Sequence, residues 1–169
     1  MYQDYNNIYN RRYGYPYYRR EKTIIDEEII SLSEALELIK KSIADEKNDE
    51  IFYSALIEKA PDDNAKKIIT DIRDDEKNHN EILRFIYSNI TGEVFSDMNA
   101  NATNTVNEET TYTQDIESAL FGELDAVKKY RKIMGAMPSS KMQTLVMSIL
   151  TDELRHANKY NYLIHKAHA

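Results

Sequence analysis

The 169-residue chain contains no cysteine. That absence excludes disulfides, thiolate ligation of a metal and any iron–sulfur or rubredoxin-type centre within it, so any electrons its chemistry needs come from another molecule. Long apolar runs are also missing. Nowhere do eighteen consecutive apolar residues occur, and the polar amino terminus lacks the apolar stretch of a signal peptide, so a soluble, cytoplasmic protein is expected. Positive charge is scarce: the formal net charge of -7 disfavours nucleic acid as a partner, because most of the surface would repel a polyanion. The deficit is uneven. Residues 1–22 carry a net +3, which leaves -10 for the remainder.

Residues 1–20 hold seven of the thirteen tyrosines, among Asn and Arg and with few aliphatic side chains. Such a composition cannot build a core of its own. It reads as a tail whose tyrosines can dock on a partner or on a second copy of the chain, and it is similar to tyrosine-rich segments of spore-coat proteins. Residues 1–30 are therefore assigned as tail and connector, and 31–169 as one domain.

Within that domain the sequence Asp75-Glu76-Lys77-Asn78-His79 returns as Asp152-Glu153-Leu154-Arg155-His156, seventy-seven residues later. In a helix the Glu and His of each motif lie one turn apart on one face, so both can reach one metal ion. Another glutamate stands thirty residues before each motif's own, Glu46 before Glu76 and Glu123 before Glu153, and the same offset relates Tyr53 to Tyr130 and Pro61 to Pro138. The chain is an internal repeat. Each of these prolines is fifteen residues from the glutamate on either side, so each marks the turn of a helical hairpin whose two glutamates sit at one depth, roughly 22 Å from the turn.

The periodicity predicts four helices. Ser31 and Glu34 form a capping-box pattern ahead of the first, which ends near Ala60; Asp62 or Asp63 caps the second, which runs to about Ile90 before Gly92. About twenty aperiodic residues follow as a long crossover loop, which suits a bundle whose second and third helices run parallel. The third helix spans about 113 to 136, and Ser139 or Ser140 caps the fourth. On the inner faces, Leu32, Ala35, Leu36, Ile39, Ile43, Tyr53 and Leu56 flank Glu46, and Ile69, Ile72, Leu83 and Ile86 flank Glu76 and His79. His165 and His168 have no Glu three residues earlier and are expected at the surface.

Four glutamates and two histidines in an apolar bundle would be costly without compensating cations. Two divalent ions balance four carboxylates, and hard oxygen donors with one imidazole per ion suit iron or manganese better than a structural zinc. Asp75 and Asp152 can accept the free imidazole N–H of the histidine on the opposite hairpin, Asp75 from His156 and Asp152 from His79. Tyr53 and Tyr130, two turns beyond Glu46 and Glu123, can donate to a glutamate or take part in electron transfer.

At these residues the chain resembles the ferritin-like superfamily, and most closely the diiron domain of rubrerythrins. The segments that carry the likeness are Ser-Ile-Ala-Asp-Glu at 42–46, Asp-Asp-Glu-Lys-Asn-His at 74–79, Ala-Leu-Phe-Gly-Glu at 119–123 and Asp-Glu-Leu-Arg-His at 152–156. The resemblance covers about 31–166 and implies an all-α, ferritin-like four-helix bundle of two hairpins joined by a crossover loop. It implies Glu46, Glu76, His79, Glu123, Glu153 and His156 as ligands to two iron ions, or alternatively two manganese ions. It further implies reduction of peroxide or dioxygen at the metals. Rubrerythrins usually carry a rubredoxin domain, absent here, so an external electron-donor protein is required. Their third helix usually offers a further glutamate where this chain has Ala126; the symmetry-related Asp49 is an extra ligand candidate from the other hairpin.

The expected activity is thus that of a diiron peroxidase or oxidase acting in oxidative stress, in a homodimer that can exchange hairpins. Manganese catalase-like dismutation, Fe(II) oxidation and a spore-coat role with an auxiliary metal site are the alternatives.

Overall fold

The computed structural model describes residues 29–96 and 109–168. The tyrosine-rich tail and most of the expected crossover lie outside the described residues. Four helices follow in order: α1 (Leu32–Lys59), α2 (Asp63–Thr91), α3 (Tyr112–Ala136) and α4 (Ser140–Ala167), with no strand among the described residues. Each begins at a side-chain cap that satisfies otherwise orphaned backbone N–H groups. Ser31 and Glu34 close a full capping box on α1, and Thr111 with Gln114 closes another on α3. Asp62 accepts from Ala65 N–H at 2.8 Å, and Ser139 accepts from Met142 N–H at 3.3 Å. At the far end of α2, Gly92 takes the left-handed conformation (φ 75°) that a side chain would strain, and its N–H closes on Ser88.

The pairs Tyr53–Glu123 and Tyr130–Glu46 show that α1 and α3 run antiparallel, since residues later in one helix meet residues earlier in the other. His79–Asp152 and His156–Asp75 show the same for α2 and α4. With each hairpin antiparallel as well, α2 and α3 run the same way. Gly92 and Thr111 therefore lie at opposite ends of the bundle, as the parallel arrangement requires.

Two apolar layers fill the interior. One, towards the Pro61 turn, gathers Tyr53, Leu56, Ile69, Ile72, Ile116, Tyr160 and Leu163; the other, towards the Pro138 turn, gathers Ile39, Ile43, Leu83, Ile86, Tyr130, Ile133, Val146 and Ile149. The acids and histidines of the two motifs lie between them. The repeat extends into this packing: Ile39, Leu56, Ile69 and Ile72 recur at the same offset as the buried Ile116, Ile133, Val146 and Ile149. Leu32, expected inside, is 36% exposed because it starts the helix beyond the reach of its neighbours. Ala119, Met137 and Ala157 are buried although their small or flexible side chains gave a weak periodic signal.

Candidate metal centre

Each of the six motif side chains is at most 3% exposed, and they converge from all four helices. Glu46, Glu76, His79 and Glu153 bring one potential ligand atom each within 4.8 Å of one another, and so do Glu76, Glu123, Glu153 and His156. Glu76 and Glu153 belong to both groups. The arrangement offers two adjacent positions, each with its own glutamate and imidazole and with two carboxylates shared.

Both imidazoles turn the same way. His79 Nδ1 faces inward, 2.8 Å from Glu76 and 3.4 Å from Glu153, while its Nε2 lies 3.3 Å from Asp152. His156 Nδ1 lies 3.1 Å from Glu76 and 3.5 Å from Glu123, and its Nε2 is 2.9 Å from Asp75. The outward nitrogen of each ring is thus held by an aspartate of the opposite hairpin, which fixes ring orientation and leaves Nδ1 for the centre. Arg155, not singled out by the sequence reading, ties these aspartates together at 2.8 Å from Asp75 and 2.7 Å from Asp152. Its signal was its place inside the second motif, three residues after Asp152; the first motif has Asn78 there.

Tyr53 donates to Glu123 at 2.7 Å, and Tyr130 donates to Glu46. Each tyrosine therefore steadies the glutamate of the other hairpin rather than the one that precedes it. Burial pushes both phenols well above their ordinary pKa, and the adjacent glutamate charges add to this, so both remain proton donors. Asp49 stands apart. It lines the cleft that leads to the centre and is not one of the residues converging in either group.

Protonation follows the repeat. Burial opposes ionisation of Glu46, but hydrogen bonds from His79 and Glu76 and the charge of Lys129 outweigh it and hold the carboxyl at about 2. Glu123 is likewise lowered against burial by Glu153 and His156. Burial pushes Glu76 up to about 7 and Glu153 well above the carboxylate range. Burial works against charge on both imidazoles as well, yet the surrounding carboxylates raise His79 to about 10 and His156 to about 12. Four carboxyl groups here compete for too little positive charge.

The donor set fits two hard divalent ions. Glu76 Oε1, Glu153 Oε1 and His156 Nδ1 are buried and complete no hydrogen bond, even though Glu76 Oε1 is 3.1 Å from His156 Nδ1 and Glu153 Oε1 is 3.4 Å from His79 Nδ1. Such an arrangement is expensive for a site meant to hold only protons. Oxygen-rich donors with one imidazole per position and no thiolate match iron or manganese chemistry.

A four-helix bundle with a paired carboxylate–imidazole cluster at mid-depth defines a ferritin-like protein. Residues 37–164 match the rubrerythrin family, and the chain belongs to it. A solved structure from Pyrococcus furiosus, described as Hypothetical Protein Pfu-1136390-001, shares the fold with a TM-score of 0.68 at 20% identity, covering 80% of this chain and 94% of its own. No curated protein matches the chain. Among the described residues no helix is long and apolar enough to cross a membrane.

Proposed function

We propose that the chain is a dinuclear-metal oxidoreductase of rubrerythrin type, reducing peroxide or dioxygen with electrons from an external donor. The sharing of Glu76 and Glu153 between two glutamate–imidazole groups carries this reading, because two such groups with carboxylates in common would hold two ions able to act on one substrate. Glu46 and His79 would complete one position and Glu123 and His156 the other. Iron, when bound, would supply the one-electron steps that no side chain of this chain can.

The protein's own groups prepare the site for that chemistry. Asp75 and Asp152 hold the outer N–H of each imidazole, so that the inner proton is the one a metal would displace and the lone pair it leaves would point inward. Tyr53 and Tyr130 hold Glu123 and Glu46 in place and keep protons at their hydroxyls. On the α2–α4 side, Arg155 and its two aspartates close the bundle. On the α1–α3 side a cavity of about 570 Å³ remains, reaching from solvent to Glu46, Glu76, Glu123 and Glu153, and a small substrate would enter by it.

The test is steady consumption of hydrogen peroxide by iron-loaded protein given a reduced electron-transfer protein. Turnover that requires the donor is expected. Oxygen release from peroxide by the manganese form without reductant would instead identify dismutation, and no peroxide reaction from a fully loaded sample would overturn the reading.

A further inference from the structure

The cleft between α1 and α3 is lined by four aspartates, and three of them are neutralised. Asp115 takes Lys59 at 2.8 Å and the Thr110 hydroxyl at 2.6 Å; Asp125 takes Lys128 at 2.7 Å; Asp45 takes Lys129 at 3.4 Å. Asp49 makes no hydrogen bond and no ion pair with any described residue. It lies one turn beyond Glu46 on α1, and its repeat equivalent is Ala126, also on the cleft wall. A methyl group suffices at that equivalent place, so packing alone does not call for a carboxylate at Asp49. The inner end of the same cleft presents Glu76 and Glu153, whose buried Oε1 atoms complete no hydrogen bond although each faces an imidazole Nδ1, at 3.1 Å and 3.4 Å.

A lone carboxylate in a narrow cleft is stabilised by a cation or by a proton. Peroxide is uncharged and gains little from it. Burial and the charges of Glu46, Glu76 and Glu123 favour a proton on Asp49 over an unpaired charge, and a hard divalent cation that displaces this proton gains an oxygen ligand on its route. Asp49 lines the cleft but belongs to neither group of converging ligand atoms, so an ion held by its carboxylate sits outside the centre.

Building on the dinuclear-metal reading, we propose that Asp49 is a transit ligand: a divalent cation moving inward through the α1–α3 cleft binds its carboxylate, then passes to Glu76 and Glu153.

The experiment mixes metal-free full-length protein with cobalt(II) in a stopped-flow spectrometer and follows the visible absorption of the bound ion. Asp49→Asn should slow loading about tenfold while leaving the final spectrum and stoichiometry those of the wild type. Asp49→Glu should recover most of the rate, and Asp125→Asn, which removes one negative charge at the same cleft, should load normally. Unchanged loading by Asp49→Asn overturns the inference, and so does an altered final spectrum, which would make Asp49 a resident ligand. Wild-type protein that takes up no cobalt would instead bring down the dinuclear-metal reading, and this inference with it.

Discussion

Glu46 and Glu123 are held low, Glu76 and Glu153 high, and both imidazoles high, so at about pH 6 two imidazolium charges face two carboxylates. Metal must displace the protons of both imidazoles and of both raised glutamates. Loading two divalent ions at pH 6 should therefore release about four protons per chain, measurable with a pH indicator in weak buffer; a release near zero would contradict the protonation pattern. Affinity should rise with pH. Stability of the metal-free protein should move the other way. Glu76 and both imidazoles bind protons more tightly folded than unfolded, so their contribution is complete at low pH. It is lost as pH rises, from about 4.5 towards 7 for Glu76 and from about 6.5 towards 10 and 12 for the imidazoles. Melting temperatures of metal-free protein between pH 5 and pH 9 should fall, and a rise would refute this. The aspartates that orient the rings are also testable. Asp75→Asn should weaken metal binding by roughly 10–100-fold in a chelator competition, because the imidazole loses the partner that fixes its tautomer. Asp152→Asn should do less, its contact with His79 being 3.3 Å against 2.9 Å.

The helices were legible because their ends carry chemistry that a reader of sequence can recognise. Ser31 with Glu34, Asp62, Ser139 and Gly92 all terminate elements where expected, and the Pro61 and Pro138 spacings matched both hairpin turns. Replacing Gly92 by Ala should cost about 1 kcal/mol at its left-handed position, read as a lower melting temperature; no change would mean that α2 does not depend on this stop. The face on which Glu76 and His79 lie also followed from one-turn spacing. Contacts between hairpins were less legible, since spacing along one helix does not give the register against another. The Asp75–His156 and Asp152–His79 pairs could be anticipated only because the repeat implies a two-fold relation. Arg155 breaks that relation, its repeat equivalent being Asn78, so the repeat gives no hint of its contacts. Which side of the bundle opens was hidden for a similar reason: it depends on Ser118, Gly122 and Ala126 being small where α3 faces α1, a property of a contact and not of a period.

At the scale of the molecule, one half-sequence used twice builds a centre that neither hairpin can hold alone. Each hairpin brings two glutamates and one histidine, and each tyrosine steadies a glutamate of the other half. The halves have diverged where the two-fold relation is not needed: Leu83 corresponds to the buried Tyr160, and Asp49 to Ala126. The assignment of 31–169 as an independent domain predicts that residues 29–169 expressed alone bind as much metal as the full chain and melt at a similar temperature; loss of metal would show that the tail completes the site. The most direct test of the whole account is metal content, by elemental analysis of wild type and Glu76→Ala after iron loading and removal of free ions. About two ions per chain in the wild type, and fewer than one in the variant that loses a shared carboxylate, is the result expected for a dinuclear centre. No retained metal in the wild type, with a melting temperature that Glu76→Ala leaves unchanged, would contradict it.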